Sequence, residues 1–477
     1  MSIFREYDIR GVVGQDLTLD LTEEIGKAFG SYLIQQGGSS ISLGRDVRLS
    51  SPPLRERLVR GLLSTGLNIT DIGICPTPLL YFSLFRFPVQ GGVMITGSHN
   101  PSEFNGFKLC VGKGTIYGEE IQKIRKLIDQ GKYEEGHGAL NTSEIIPAYI
   151  DYVSGQFSES MSRPKRSIKV VVDAGNATGG LVAPRLLKKL GCEVIELYCE
   201  GDGRFPNHHP DPTVTENLKD LIQKVKESRA DVGIGYDGDA DRIGVVDEKG
   251  EIIWGDRLMM IYARDILAKH PKNQPPPVFI SEVKGSHLLY EDIRKRGGRA
   301  IMWKTGHSLI KAKMKEENAV LAGEMSGHLF FADRYFGYDD AIYATCRLVE
   351  ILAHSERPLS QLLSDLPKIY STPEIRMECP DEVKFKVVEK LKQILLDPKF
   401  TINLPAGQAG DSRLTISEVI TVDGVRITFS DGWGLVRASN TQPALVLRYE
   451  ADSEEGLARI KIFIEDLVRQ AMQTARN

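Results

Sequence analysis

Ser98 sits in Thr96-Gly97-Ser98-His99-Asn100-Pro101, directly after the apolar run Gly92-Val93-Met94-Ile95. The pattern predicts a strand that ends by delivering one hydroxyl into a tight loop of Gly, Asn and Pro. A serine hydroxyl is a weak nucleophile at neutral pH and needs a base, a metal or a cationic pocket. Later in the chain, Asp237-Gly238-Asp239-Ala240-Asp241 alternates three carboxylates around a glycine. Alternation along an extended segment sends them to one side, where three oxygens converge on one hard divalent cation. Mg²⁺ is the expected ion, because three carboxylates leave room for water and a phosphate oxygen. A solvated acidic turn is the plain alternative. An EF-hand is the sharper rival, with Asp237, Asp239, Asp241 and Glu248 at the first, third, fifth and twelfth positions of that loop. It fails at Arg242, which stands where the loop needs glycine, at Val245, which stands at a ligand position, and at Ile243 to Val246, which reads as a strand.

Two further loops carry polar groups in useful spacing. Gly323-Glu324-Met325-Ser326-Gly327-His328 sets a carboxylate and a hydroxyl two residues apart between glycines, a spacing suited to adjacent hydroxyls of a small polyol or to a plain strand-end turn. Arg437-Ala438-Ser439-Asn440-Thr441-Gln442-Pro443 crowds a guanidinium, two hydroxyls and two amides behind a strand. That set makes a phosphate-sized anion site or, without a ligand, a Ser/Asn/Pro turn. Arg10, Lys108, Arg242, Arg257, Lys284 and His307 are sparse basic residues whose solvated role is the ordinary one. His99 is a poor base for Ser98, since neighbours on an extended chain point apart.

These loops need elements to hold them. From residue 1 to 152 strands and helices alternate: helical spacing through Leu21, Ile25, Ala28, Phe29 and Leu33, a strand at Ser40 to Leu43, a helix through Leu54, Leu58 and Leu62, and a strand from Asn68 to Ile74. The scheme recurs in residues 153–254, where Ile168 to Val172 and Ala230 to Gly235 precede the aspartate loop, and in 255–368, where Val278 to Ile280, Arg299 to Trp303 and Ala319 to Ala322 precede Gly323. Three similar α/β domains in tandem are expected, joined through Ser162-Arg163-Pro164-Lys165-Arg166, with the run Pro271 to Pro277 as a loop inside the third. Residues 369–477 change character. Strand candidates at Lys384-Phe385, Val425 to Phe429, Gly434 to Arg437 and Leu445 to Tyr449 accompany amphipathic helices at Val387 to Leu395 and Glu455 to Met472, which suggests a smaller α+β domain.

Composition sets the outer limits. A chain of 477 residues with 41% hydrophobic content fills several ordinary cores, and a net charge of -4 argues against a general nucleic-acid binder. Six scattered cysteines offer no metal spacing and read as reduced thiols. No basic-then-apolar leader opens the chain and no run approaches 18 apolar residues, so a soluble cytoplasmic protein without membrane contact is expected.

Taken together, TGSHNP at 96–101, DGDADR at 237–242, GEMSGH at 323–328 and RASNTQP at 437–443 resemble, in order and over essentially the whole chain, the α-D-phosphohexomutase family, most closely its bacterial phosphomannomutase/phosphoglucomutase members. The resemblance implies that Ser98 is held as phosphoserine, with Asp237, Asp239 and Asp241 binding one Mg²⁺ and the phosphoserine oxygen completing the site. It implies that Glu324 and Ser326, with His307, hold the sugar, and that Arg437, Ser439, Asn440 and Thr441 grip the phosphate that is not reacting. Tyr7, Arg10, His99, Lys108, Arg242, Lys284 and His328 would line the cleft, with Lys108 and His328 as proton-transfer candidates and Arg10 beside the reacting groups.

The implied reaction interconverts hexose 1- and 6-phosphates of mannose or glucose through a bound hexose 1,6-bisphosphate, which also serves as activator. Phosphoglucosamine mutase is the alternative within the family, and a non-catalytic sugar-phosphate-binding protein the alternative outside it. Met325 stands where phosphoglucosamine mutases usually have glutamine, which favours mannose and glucose phosphates. Gln442 stands where many relatives have a second threonine, which leaves that one phosphate contact open. The preferred hexose, the proton-transfer group and the choice between monomer and dimer are open at this stage.

Overall fold

A computed structural model describes residues 3–397, 414–440 and 442–476. By contacts the chain divides into two compact units, one of Met1–Ile280, Asp292–Arg299 and Gly306–Leu363, the other of Ser281–Glu291, Ala300–Thr305 and Ser364–Asn477.

In the first unit, the N-terminal sheet runs in the order Ile9–Val12, Phe104–Val111, Gly91–Ile95, Ser40–Arg45, Asn68–Ile74 and Leu140–Thr142. Ser40–Arg45 pairs parallel with both neighbours, whereas Phe104–Val111 returns antiparallel to Gly91–Ile95, with Ile95 opposite Phe107. Buried Ile41, Leu43, Val93, Ile95 and Phe107 pack with Ile25 and Phe29 of the helix Leu19–Gln35 and with Leu58 and Leu62 of the helix Ser51–Ser64. The two helices cross at backbone contact. A Cβ at Gly61 would lie 2.2 Å from the Glu23 carbonyl oxygen, so two glycine-bearing helix faces set how closely the layer stacks on the sheet.

The second sheet repeats the plan with strands Ile252–Ile253, Ile243–Asp247, Val232–Tyr236, Lys169–Asp173 and Glu193–Leu197. Val232–Tyr236 is parallel to Lys169–Asp173 and antiparallel to Ile243–Asp247, with Tyr236 opposite Ile243. The third includes the antiparallel pair Leu321–Gly323 and Leu329–Phe331. Each chemistry-bearing loop of this unit is thus the connection between a strand and its antiparallel return. The expected strand at Ala319 to Ala322 begins two residues later, and Ile243 to Val246 is a strand as read. The helix Ile146–Met161 spans the expected border between residues 152 and 153.

The second unit is built on an antiparallel sheet in which Gly432–Ala438 pairs with Val425–Phe429 and Ala444–Ala451. The helices Asp381–Leu396 and Glu454–Arg476 close the core through Val387, Leu391, Ile460 and Val468. Lys384-Phe385 lies in the first of these helices, not in a strand. Pro380 precedes it as N-cap with Asp381 and Glu382 in the first turn, start signals that outweigh the two-residue strand pattern. Ile375–Glu378 and Ile416–Ile420 are strands the sequence reading omitted.

Residues 281–291 group with this unit for a visible reason. Arg426 Nη1 donates to the carbonyls of Val283 at 2.6 Å and Gly285 at 2.7 Å, and Arg448 donates to that of Lys284. Glu450 accepts Ser286 Oγ at 2.9 Å, His287 Nδ1 at 2.7 Å and Trp433 Nε1 at 2.8 Å. Burial raises the Glu450 carboxyl, but His287, Arg448 and Trp433 outweigh it and hold its pKa at about 2, below the ordinary 4.5. Burial lowers the His287 imidazole, yet the bond and charge of Glu450 leave it raised above 6.5.

Glu450 therefore adds stability above pH 4.5 that is lost as pH falls toward 2, and His287 adds stability below pH 6.5 that is lost as pH rises past its raised value. Acid unfolding of this unit, followed by the fluorescence of Trp433, is expected to develop between about pH 4.5 and 2. Glu450→Gln should flatten that dependence, and an unaltered acid transition in the variant would contradict the linkage.

Candidate active site

Asp237, Asp239 and Asp241 are 0%, 0% and 1% exposed, and carboxylate oxygens from all three lie within 4.8 Å of one another. They converge through a turn and not through extended alternation. Asp237 Oδ1 accepts the N–H groups of Asp241 and Arg242 at 3.1 Å each, and Ala240 adopts the left-handed region at φ 56°. Gly238 is required where it stands, since a Cβ there would lie 2.1 Å from the Ser98 carbonyl oxygen. Glu248, the twelfth residue of the EF-hand pattern, accepts Ser360 Oγ instead.

Ser98 Oγ donates to Asp237 Oδ2 at 2.7 Å, joining the first loop to the second. Ser98 has φ 47°, and this left-handed backbone brings His99 Nδ1 to 3.3 Å from Ser98 Oγ. The expectation that the two side chains point apart holds only for extended chain and is corrected here. Burial, with Arg242 and Arg10 nearby, keeps the His99 imidazole neutral, well below its ordinary range. Arg10 donates to Asn100 Oδ1 at 2.7 Å and pairs with Asp8.

Lys108, on the strand returning from the Ser98 loop, sets its ammonium 2.7 Å from Asp239 Oδ2 and against Asp241 Oδ2. Burial opposes its charge, but the two carboxylates outweigh burial and raise its pKa. His328 is held by Glu324 Oε2 at 2.7 Å on Nδ1 and by Asp241 Oδ1 at 3.2 Å on Nε2. Burial alone would lower it; Asp241 and Glu324 raise it to about 9. Arg242 Nε lies 3.3 Å from the same imidazole, and Ser326 Oγ lies 3.2 Å from its Nδ1. Glu324 also accepts Gly306 N–H at 2.7 Å. Tyr7 packs against Gly306, where a Cβ would meet its ring at 2.5 Å, and lies edge-on to His307 with centroids 5.8 Å apart. Burial and Lys311 keep His307 neutral, well below its ordinary range.

Within the second unit, Arg437 Nε donates to Asp423 Oδ2 at 3.0 Å, and Ser439 Oγ accepts Gln442 N–H at 3.1 Å. Asn440 follows on the same turn, while Thr441 lies outside the described residues. Lys284 bonds Glu374 at 3.0 Å; burial lowers its pKa, but Glu282 and Glu374 raise it overall, against the charge of Arg437.

The sequence reading missed several residues that hold this site. Thr77 Oγ1 donates to Asp239 Oδ2 at 2.5 Å, and Asp46 Oδ2 accepts Gly97 N–H at 3.1 Å. Asp339, 0% exposed, takes Lys311 at 2.9 Å and lies 3.5 Å from His307 Nδ1. Only Asp46 carried a signal, as part of a polar strand end.

The donor set suits a hard divalent cation: three carboxylates, one hydroxyl, and a buried Asp239 Oδ1 with no hydrogen-bond partner among the described residues. Strand-end loops gathered around such a set, on tandem α/β sheets, have the make-up of an enzyme site able to hold a metal ion. The comparisons narrow this class. The alpha/beta/alpha domains I, II and III of phosphoglucomutase/phosphomannomutase match residues 1–135, 147–250 and 254–370, and the C-terminal domain matches 374–467. A phosphomannomutase/phosphoglucomutase of Pseudomonas aeruginosa is 47% identical over 460 residues, 96% of this chain and 94% of that protein. A phosphoglucomutase of Neisseria gonorrhoeae is 45% identical over 462 residues, 96% and 95% of the two chains. The crystal structure of a phosphoglucomutase/phosphomannomutase family protein from Burkholderia thailandensis superposes with a TM-score of 0.88 at 42% identity, covering 100% of this chain and 98% of that one. The chain belongs to the phosphoglucomutase/phosphomannomutase family of enzymes.

Thr77 touches a carboxylate of the cation set, so it tests the metal assignment. Thr77→Val is expected to weaken Mg²⁺ or Mn²⁺ binding about 10- to 100-fold, the usual effect of removing a partner that orients a ligand. Calorimetric titration of the folded variant reads this directly, and unchanged affinity would count against Asp239 as a ligand.

Proposed function

We propose that the enzyme interconverts hexose 1-phosphate and hexose 6-phosphate, with mannose and glucose as the sugars, by passing a phosphoryl group to and from Ser98. The observation that carries the reading is the 2.7 Å approach of Ser98 Oγ to Asp237 inside the convergent aspartate set. The relatives named above supply the substrate class.

Phosphoserine 98 gives its phosphoryl group to the free hydroxyl of the bound hexose phosphate. The oxygen–phosphorus bond to the sugar forms as that to Ser98 Oγ breaks, and the proton lost by the sugar hydroxyl is matched by one gained at the departing Ser98 Oγ. The resulting hexose 1,6-bisphosphate turns end for end, and its other phosphate returns to Ser98. Phosphoryl transfer depends chiefly on positioning and charge neutralisation. Lys108 and Arg242 place positive charge on the aspartate set that Ser98 touches. Lys108 and His328, both held protonated by their carboxylate neighbours, are the proton-transfer groups: one gives its proton to the departing Ser98 oxygen and regains the proton the sugar hydroxyl releases, while Glu324, Ser326 and His307 orient the ring. In the second unit Arg437, Ser439, Asn440, Thr441 and Lys284 are the phosphate-binding groups; in the first, Tyr7, Arg10 and His99 are the further substrate contacts.

Asp237, Asp239 and Asp241, with an oxygen on Ser98, would hold one Mg²⁺. When bound, that ion neutralises charge developing on the transferring group. Free hexose 1,6-bisphosphate acts as activator because it reloads any Ser98 left without phosphate. The four family matches support reading the chain as four domains, at residues 1–152, 153–254, 255–368 and 369–477. Six unpaired thiols fit a reducing cytoplasm, and no helix among the described residues is long and apolar enough to cross a membrane.

Paired assays on glucose 1-phosphate, mannose 1-phosphate and glucosamine 1-phosphate, with and without hexose 1,6-bisphosphate, test the substrate class. Ser98→Ala is expected to lose turnover by more than roughly 10³-fold with its fold intact. Intact-mass analysis should show one phosphoryl group on the native protein and none on the variant. Full turnover by a protein never phosphorylated at Ser98 would overturn the mechanism.

A further inference from the structure

The Ser98 loop is held from behind by two side chains outside the reacting set. Arg48 is 1% exposed. Its Nη2 donates to the carbonyls of Ser98 at 2.8 Å and Asn100 at 2.5 Å, and its Nη1 to those of Pro101 at 2.5 Å and Phe104 at 3.1 Å. The remaining carbonyl of the series, that of His99, is met by His209 Nε2. Every carbonyl oxygen from Ser98 to Pro101 is therefore engaged by a nitrogen of Arg48 or His209.

Neighbouring groups fix these two side chains in turn. Asp46 Oδ2 lies 3.2 Å from Arg48 Nε and accepts Gly97 N–H. A Cβ at Gly97 would lie 2.5 Å from the guanidinium carbon, so glycine is what lets the loop close onto it. The Phe205 ring covers the guanidinium at 5.1 Å. His208, next to His209, is anchored by Asp173 at 3.0 Å and by contact of its Nδ1 with the His209 carbonyl at 2.9 Å.

We propose that Arg48 and His209 are positioning residues for phosphoryl transfer: by tying down consecutive carbonyls they fix the left-handed backbone of Ser98 and hence the place of its Oγ beside Asp237. The proposal rests on the reading of Ser98 as phosphate carrier. A non-glycine residue at φ 47° persists where its surroundings over-determine it, and four carbonyl bonds from one planar fork supply that constraint. All four terminal N–H contacts of Arg48 go to carbonyls, and its Nε, buried without a hydrogen bond, lies 3.2 Å from Asp46 Oδ2, so the terminal fork has no donor to spare for a substrate phosphate. A lysine ammonium has three donors and no fork, and cannot reproduce the set.

Arg48→Lys, His209→Ala and His209→Gln test this in the full-length enzyme. Folding is checked by circular dichroism and thermal midpoint, and two rates are read: steady-state turnover of glucose 1-phosphate and mannose 1-phosphate, and phosphorylation of dephosphorylated Ser98 by hexose 1,6-bisphosphate, followed by intact mass. Arg48→Lys is expected to lower kcat and the phosphorylation rate about 100-fold with KM unchanged, as ångström-scale misplacement does. His209→Ala should lower both about 10-fold, and His209→Gln, which keeps an N–H for the same carbonyl, should recover most of that loss.

Folded variants with wild-type rates would overturn the proposal, as would a loss confined to KM, which would make Arg48 a substrate contact. Should Arg48→Lys fail to fold, the histidine pair decides: equal rates for Ala and Gln overturn the proposal, and recovery by Gln alone supports it. A wild-type enzyme that is active yet never phosphorylated at Ser98 would instead bring down the carrier reading itself.

Discussion

Three buried carboxylates within 4.8 Å of one another are the constraint around which the site is arranged. At that separation, and at an effective dielectric constant near 20, each like-charge pair costs roughly 3 to 4 kcal/mol. An arriving phosphosugar adds to the repulsion. The fold answers with cations placed unevenly. Lys108 reaches Asp239 and Asp241, His328 reaches Asp241, and Arg242 lies beside His328. As a result, burial and its two neighbours push the Asp237 carboxyl up, whereas Lys108 and His328 overcome burial and hold that of Asp241 down. Of these two carboxylates, the one whose like-charge neighbours are less offset is thus the one that Ser98 touches.

The sheets make this crowding possible at small conformational cost. In the three α/β sheets a functional loop joins a strand to its antiparallel return, with Ile95 opposite Phe107, Tyr236 opposite Ile243 and Gly323 opposite Leu329. Strand pairing fixes both ends of each loop, so only a few residues between them adopt unusual backbone. The loops then bond to one another. Ile243 N–H donates to the Gly327 carbonyl at 3.1 Å, and Thr77 N–H to the Asp239 carbonyl at 2.9 Å. Backbone from one loop completes another, which is why Gly238 and Gly327, whose Cβ atoms would strike Ser98 and Ile243 backbone, admit no side chain.

What the sequence disclosed and what it withheld divide along the same line. The loops were legible because their chemistry is local: alternating aspartates, a serine in a Gly/Asn/Pro turn, a carboxylate and hydroxyl between glycines. The strands feeding them were legible as apolar runs. Their mutual geometry was not. Left-handed backbone at Ser98 and Ala240 is set by contacts between loops, so the expected divergence of Ser98 and His99 and the expected extended aspartate segment both gave way to turns. Arg48, Thr77 and His209 act on partners 50, 162 and 110 residues distant, and nothing near them in sequence marks such a reach. Lys384-Phe385 shows the converse error, where a short local pattern was read without weighing the helix start just before it.

A buried guanidinium on a row of carbonyls occurs in both units, and its logic is electrostatic. Arg48 takes carbonyls from the Ser98 loop; Arg426 and Arg448 take those of Val283, Gly285 and Lys284 in the other unit. Burying an arginine is costly unless its donors are satisfied, and carbonyls satisfy them without introducing a second formal charge. Engaging a loop's carbonyls with the arginine also offsets their negative dipole ends. A loop held in this way gains doubly: its carbonyl oxygens are engaged, and its side chain is carried on backbone that does not need to reorganise.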